Sequence, residues 1–172
     1  MGIVLAGFVV ITTFLMTSVL MFSAFLSASV SQGESLRVIT HVSSERLGSA
    51  LSITSASVVT PAGPDVAVQV DNTGSQSVVR FGELDVIIKY TDSDNTAALR
   101  YLAYTSGALG NNQWTIATTG VQPDNFNPGM WDPGETLPID LRVFPAIKAG
   151  TAAEVVVGTP WGVNDKSSIV NP

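Results

Sequence analysis

The first 33 residues, MGIVLAGFVVITTFLMTSVLMFSAFLSASVSQG, hold no Asp, Glu, Lys, Arg or His; the first charge is Glu34. No other feature limits the chain so strongly. Through Val30 nearly every side chain is Ile, Val, Leu, Phe, Met or Ala, relieved only by Gly, Ser and Thr. A helix that is apolar on every side must be buried on every side, in lipid or in protein. At ~1.5 Å per residue the uncharged stretch spans roughly 50 Å, whereas a bilayer core needs only ~20 residues. The run is longer than a plain anchor requires.

The pattern then becomes amphipathic in SQGESLRVITHVSSERLGSA, where Leu36, Ile39, Val42 and Leu47 fall near helical spacing. Glu34–Arg37 and His41–Glu45 supply surface pairs, and Gly48 is a natural stop. The spacing predicts one helix from Gly2 to about Leu47, with at most a soft spot near Gly33, so that residues 1–48 form a hydrophobic helical segment. A secretory signal would open with a basic region, which is missing. Two explanations stand side by side. A short basic leader is removed just before Met1, leaving the apolar segment on the mature chain, or the segment is a single-pass anchor oriented by downstream charges.

After Gly48 the period changes to two. SITSASVVT, DVAVQVDN, LDVIIKY, ALRYLAYT, QWTIATT, TLPIDLRVF and TAAEVVVGT are rich in β-branched and aromatic residues. PAGPD, DNTGSQS, TDSDNT, SGALGNN, PDNFNPGMWDPGE, AIKAG and the terminal VNDKSS read as turns. About seven strands and no intervening helix predict an immunoglobulin-like antiparallel β-sandwich over residues 49–172, and an α+β chain as a whole.

The net charge of −6 belongs to that second part, because Glu34 and Glu45 are balanced by Arg37 and Arg46 in the first. No basic patch is present, so nucleic acid is not an expected partner. With no cysteine and a single histidine, His41, thiolate and multi-histidine metal sites are excluded. No Ser/His/Asp set, paired-carboxylate cleft or phosphate loop is discernible, and neither catalysis nor a cofactor is expected. Asp92, Asp94 and Asn95 resemble the start of a calcium loop. Ala97 and Ala103 occupy the positions where an EF-hand needs Gly and Glu, so a β-turn is the better reading. Asp124, Asn125, Asn127 and Asp132, beside Trp131, form either a cation-binding loop or a surface and subunit-contact loop. Trp114, Trp131 and Trp161 are carbohydrate platforms or, more commonly, packing residues. His41 reads as a helix-surface residue. Asn72, Asn95, Asn112 and Asn125 all fail the Asn-x-Ser/Thr pattern, so any glycan belongs on Ser or Thr.

Three stretches carry a family resemblance. VQVDNTGSQSV contains Asn72, Thr73 and Gly74; FNPGMWDPGETLPIDLRV contains Pro133, Gly134 and Glu135; VVVGTPWGV contains Thr159, Pro160, Gly162 and Val163. In that order, behind a charge-free helix, they resemble the archaellins, the archaeal flagellins of the type IV pilin-like superfamily. Bacterial pilins usually carry Phe at position 1 and Glu at position 5; Met1 and Leu5 stand here. The resemblance implies a structural subunit that polymerises into an extracellular, cell-surface archaellum for swimming. It implies a prepilin-type peptidase, an assembly ATPase and a platform protein as partners, with the membrane holding the subunit before assembly. The contact residues of the homopolymer would be Met1, Gly2, Ile3, Val4, Leu5, Ala6, Gly7, Phe8, Val9, Ile11, Phe14, Leu15, Val19, Leu20, Phe22, Phe25 and Leu26. An adhesive pilin of the same superfamily and a membrane-anchored binding or stator-like module are the alternatives.

Overall fold

A computed structural model of the chain describes residues 2–172. Helix α1 runs from Gly2 to Gly48 without a break at Gly33. Its 47 residues extend roughly 70 Å at ~1.5 Å per residue. Leu, Ala and Met favour the helix, and the many Val and Ile are tolerated because propensity is a weak term once a helix is long. By its contacts the chain divides into two units, one ending at Ser43 and one running from Ser44 to Pro172. No residue of α1 is buried.

The second unit is built from eight strands: β1 (Leu51–Val58), β2 (Asp65–Asn72), β3 (Asp85–Thr91), β4 (Ala97–Tyr104), β5 (Gln113–Ile116), β6 (Thr136–Arg142), β7 (Ala152–Gly158) and β8 (Asn164–Val170). They form one sheet in the order β1-β2-β6-β5-β4-β3-β7-β8. The sheet folds back on itself until its two edges meet, and the Ile53 N–H of β1 donates to Asp165 Oδ2 of β8 at 2.9 Å. The result is a nearly closed, flattened barrel with a single interior. Period-two alternation fills that interior: Val66, Val68 and Val70 of β2, their register partners Leu141, Ile139 and Leu137 on β6, and Val86 and Ile88 of β3 are all buried in one core. Trp114 on β5 lies fully inside, its ring centroid 4.8 Å from that of Tyr104 at a tilt of 55°. The Tyr90 hydroxyl donates to the Pro145 carbonyl at 2.9 Å. Burial, outweighing the attraction of Arg100, holds that hydroxyl's pKa above the usual tyrosine value.

The α+β class and the sandwich, with eight strands against an expected seven or so, agree with the sequence reading, and three details depart from it. VNDKSS is no turn: it opens β8, which pairs with β7 from Asn164↔Gly158 to Val170↔Ala152. Of its residues only Ile169 is buried, so its apolar alternation is too short to register as a strand. One pairing is parallel, β4 with β5, over the two pairs Ala103↔Gln113 and Tyr104↔Trp114. QWTIATT yields a strand only as far as Ile116, after which the chain turns through Gly120 at φ +67°.

Candidate functional site

Two features stand out: the bare helix, and the place where the chain leaves it. Along α1 the residues expected to make polymer contacts are exposed, from Gly2, Ile3, Val4, Leu5, Ala6, Gly7, Phe8, Val9 and Ile11 to Phe14, Leu15, Val19, Leu20, Phe22, Phe25 and Leu26. Met1 lies outside the described residues. A β-carbon added at Gly2 or Gly7 would meet nothing of this chain within 4 Å, so no intramolecular packing demands glycine there. The helix's hydroxyls turn inward onto their own backbone. Thr12 Oγ1 donates to Phe8 O at 2.8 Å, Thr13 Oγ1 to Val9 O at 2.8 Å and Ser18 Oγ to Phe14 O at 2.8 Å. Thr17 Oγ1 donates to Thr13 O in the same way.

At the end of α1 the chain is gripped from several sides. The Ser75 N–H donates to Gly48 O at 2.7 Å, and the Thr73 and Gly74 N–H groups both donate to Ala50 O at 3.1 Å. Buried Ser49 reaches Thr159 Oγ1 at 3.1 Å, a link between residues 110 positions apart. Gly74 is required by this close approach: a β-carbon there would lie 2.5 Å from Ala50 N and 2.5 Å from Gly48 O. Asn72, also buried, orders the turn. Its Nδ2 donates to Gln76 O at 2.8 Å and Trp131 O at 3.1 Å, while its Oδ1 accepts from the Gly74 N–H at 3.1 Å.

The second motif closes over the first. The Gly134 N–H donates to Asn72 O at 2.8 Å, and the Asn72 N–H donates to Glu135 O at 2.9 Å. Trp131 is buried, with its Nε1–H donating to Glu135 O at 2.8 Å, and Glu135 Oε2 accepts from the Asp132 N–H at 2.9 Å. Gly134, at φ +82°, permits the turn that Pro133 opens. The third motif is a tight turn in which the Thr159 N–H donates to Val163 O at 2.7 Å and the Gly162 N–H to Thr159 O at 2.9 Å. Pro160 and Trp161 form its tip, Gly162 being at φ +79°. The structure thus brings Asn72, Thr73 and Gly74, then Pro133, Gly134 and Glu135, and finally Thr159 to one end of the sandwich around Gly48–Ala50. Sequence reading singled out each motif but missed that they meet, and missed Ser49 altogether. Nothing local signals a contact made across 110 residues.

The remaining candidates separate cleanly. Asp92 begins a β-turn: its Oδ1 accepts from the Asp94 N–H at 3.0 Å and the Thr96 N–H at 2.8 Å, and Asn95 takes φ +64°. The carboxylate is occupied by backbone, though Asp92 itself is buried rather than exposed. In the long loop, Asn127 Nδ2 donates to Asp132 Oδ2 at 3.0 Å and the Gly129 N–H approaches Asp124 Oδ2 at 3.4 Å. Asp132 and Glu135 are both buried, and one oxygen of each, Oδ1 and Oε1, has no hydrogen-bond partner. Among the described residues no group of three or more His, Asp or Glu side chains has the geometry of a metal site. Trp114 and Trp131 are core residues, which removes them as carbohydrate platforms; Trp161 is half-buried. His41 is exposed on α1. On the outer face of the sheet Arg142 grips Asp65 with two nitrogens at 2.6 and 3.0 Å, and the hydrogen bond and charge of that carboxylate raise the guanidinium's pKa further.

No protein-family model matches the chain, and no curated protein matches it. Its fold, however, is similar to solved structures. A structure of the archaeal flagellum of Methanospirillum hungatei strain JF1 matches with a TM-score of 0.64, covering 98% of this chain and 94% of that one at 12% identity. The likeness is one of fold, helix and sandwich together. The archaellum periplasmic stator protein FlaG from Sulfolobus acidocaldarius matches with a TM-score of 0.50 at 17% identity, covering 70% of this chain and 98% of that one. The complex of the stator proteins FlaF and FlaG from the same organism gives a TM-score of 0.50 at 17% identity, over 69% of this chain and 86% of that one.

Proposed function

We propose that the chain is a structural subunit that polymerises through its N-terminal helix into an extracellular archaellum-type filament used for swimming. In this reading residues 1–48 form the filament core and residues 49–172 its outer wall. The observation that carries it is a 47-residue helix with no buried residue, uncharged as far as Gly33, on a fold shared over 98% of the chain with a flagellum subunit. Burial of each large apolar side chain is worth ~1.5–3 kcal/mol, so the helix is stable only inside lipid or among other helices. Lipid is itself apolar. Moving from one to the other therefore gains its free energy from close packing, to which Gly2, Ala6 and Gly7 contribute small surfaces. Joining identical subunits by a rotation that does not close produces a helical polymer. The prepilin-type peptidase, assembly ATPase and platform protein belong to the same reading, as does the membrane as holding place before assembly.

The similarity to FlaG supports a second reading, a membrane-anchored stator-like module. Shearing of cells that produce the chain separates the two. A filament subunit pellets in long filaments of uniform width visible by electron microscopy, and its deletion abolishes swimming. An anchored module stays in the membrane fraction and dissolves in detergent as one species, an outcome that would refute the filament reading.

A further inference from the structure

Charge returns to α1 just where the uncharged run ends. Glu34 and Arg37 are the first two charged residues of the chain, one acid and one base. Their spacing predicts a pair on the helix surface, yet neither forms an ion pair or a side-chain hydrogen bond among the described residues. The two flank one helix face. At ~3.6 residues per turn Glu34 lies roughly 40° to one side of Val30 and Arg37 roughly 20° to the other. Gly33 leaves the surface low beside them, and Val30, Gly33, Glu34 and Arg37, all exposed, line an open hollow of about 290 Å³.

Whatever covers this face must answer both charges at once. An anionic lipid surface would satisfy Arg37 and repel Glu34, and a basic partner would do the reverse. A second copy of α1 brings one of each. Packed copies therefore stay neutral at this level whatever their number, with no need of a foreign counter-ion. Charges that flank an apolar seam select partners and fix register where helices pack side by side. Here the seam is continuous with the bare, uncharged run from Gly2 to Gly33. An i,i+3 pair on an exposed helix is weak. A neighbour packed across it withdraws both groups from water, which strengthens their attraction and makes either charge costly without its partner.

We infer that Glu34 of one copy of this chain pairs with Arg37 of the next where their helices pack. Because acid and base lie on opposite sides of Val30, each copy gives Glu34 to one neighbour and Arg37 to another. The contact does not close on itself, as a helical polymer needs. The inference rests on the filament reading and adds a register to it. An apolar helix can slide along a like helix, whereas a charge pair at the end of the apolar run holds the two in step.

Mixed assembly of full-length chains tests the pair. A Glu34→Arg chain has two bases and no acid at this level, and an Arg37→Glu chain two acids and no base. Either variant alone is expected to form no filaments, or filaments that dissociate at clearly lower denaturant concentration than the parent's. An equimolar mixture is expected to assemble, with both chains in every filament. Mixing cannot restore a pair made within one helix. A mixture that fails while the doubly substituted chain Glu34→Arg, Arg37→Glu assembles would therefore overturn the inference, as would failure of both, or single variants as stable as the parent. Absence of filaments from the unsubstituted chain would overturn the filament reading along with the contact. Where reversed charge prevents production of the chain, Glu34→Gln and Arg37→Gln replace it. Parent filaments are expected to weaken as salt is raised and those of the Gln variants to respond less; equal responses refute the pair.

Discussion

Substituting Gly74 by alanine isolates the helix exit. The added methyl would sit 2.5 Å from both Ala50 N and Gly48 O and 3.1 Å from Ser49 C, all backbone atoms that cannot swing aside. Relief requires the Gly48–Ala50 segment to move off the turn. That stretches the bond from the Ser75 N–H to Gly48 O and the two bonds converging on Ala50 O. Overpacking costs ~1–3 kcal/mol, and loosening the three hydrogen bonds without breaking them forfeits roughly 1–2 kcal/mol more in all, so a total of about 2–5 kcal/mol is expected. For a unit of this size that lowers the melting temperature by roughly 10–20 °C. The assay is thermal unfolding of the full chain in detergent, followed by the fluorescence of the buried tryptophans Trp114 and Trp131. Gly7→Ala is the matched control, because its methyl meets nothing within 4 Å and the sandwich melt should not move. A Gly74→Ala chain melting within about 2 °C of the parent would refute the close-approach argument, since even 1 kcal/mol shifts a small domain by more than that.

Other outcomes follow from the same contacts. Val19→Asp and Gly7→Leu are expected to abolish filament formation while leaving the tryptophan melt unchanged; normal polymers from either would contradict the helix-core account. Asn72→Asp replaces the donor that serves Gln76 O and Trp131 O with an acceptor, and denaturant titration should show a loss of about 2–4 kcal/mol. Arg142→Ala removes a partly exposed two-point ion pair with Asp65 and should lower the denaturant midpoint only slightly in the same titration, by less as salt is raised.

Much of this was legible in the residues because it is local. A helix needs only its uncharged run and Gly48, and seven of the eight strands need only alternation of apolar and polar side chains. Where structure depends on distant partners the sequence is silent. β8 is a strand because β7 offers it seven registered partners, although Ile169 is the one buried side chain it contributes. The parallel pairing of Ala103 with Gln113 follows from how the sheet rolls up, a property of the whole sandwich. The three motifs were visible as turns. Their arrangement, with the first motif and Thr159 holding Gly48–Ala50 and the second bracing Asn72, appears only when Thr159 is brought against Ser49.

The hydroxyls folded back along α1 have a consequence for traffic between environments. Thr12, Thr13, Thr17 and Ser18 each donate to a carbonyl one turn earlier. None of these four carries an unmet demand for a hydrogen bond into its surroundings, so lipid tails and neighbouring helices look alike to it. In chemical terms this stretch of the helix is indifferent to its solvent. Polar chemistry at these four positions then sets no toll between lipid and protein, and what distinguishes the two surroundings is the fit of the apolar side chains.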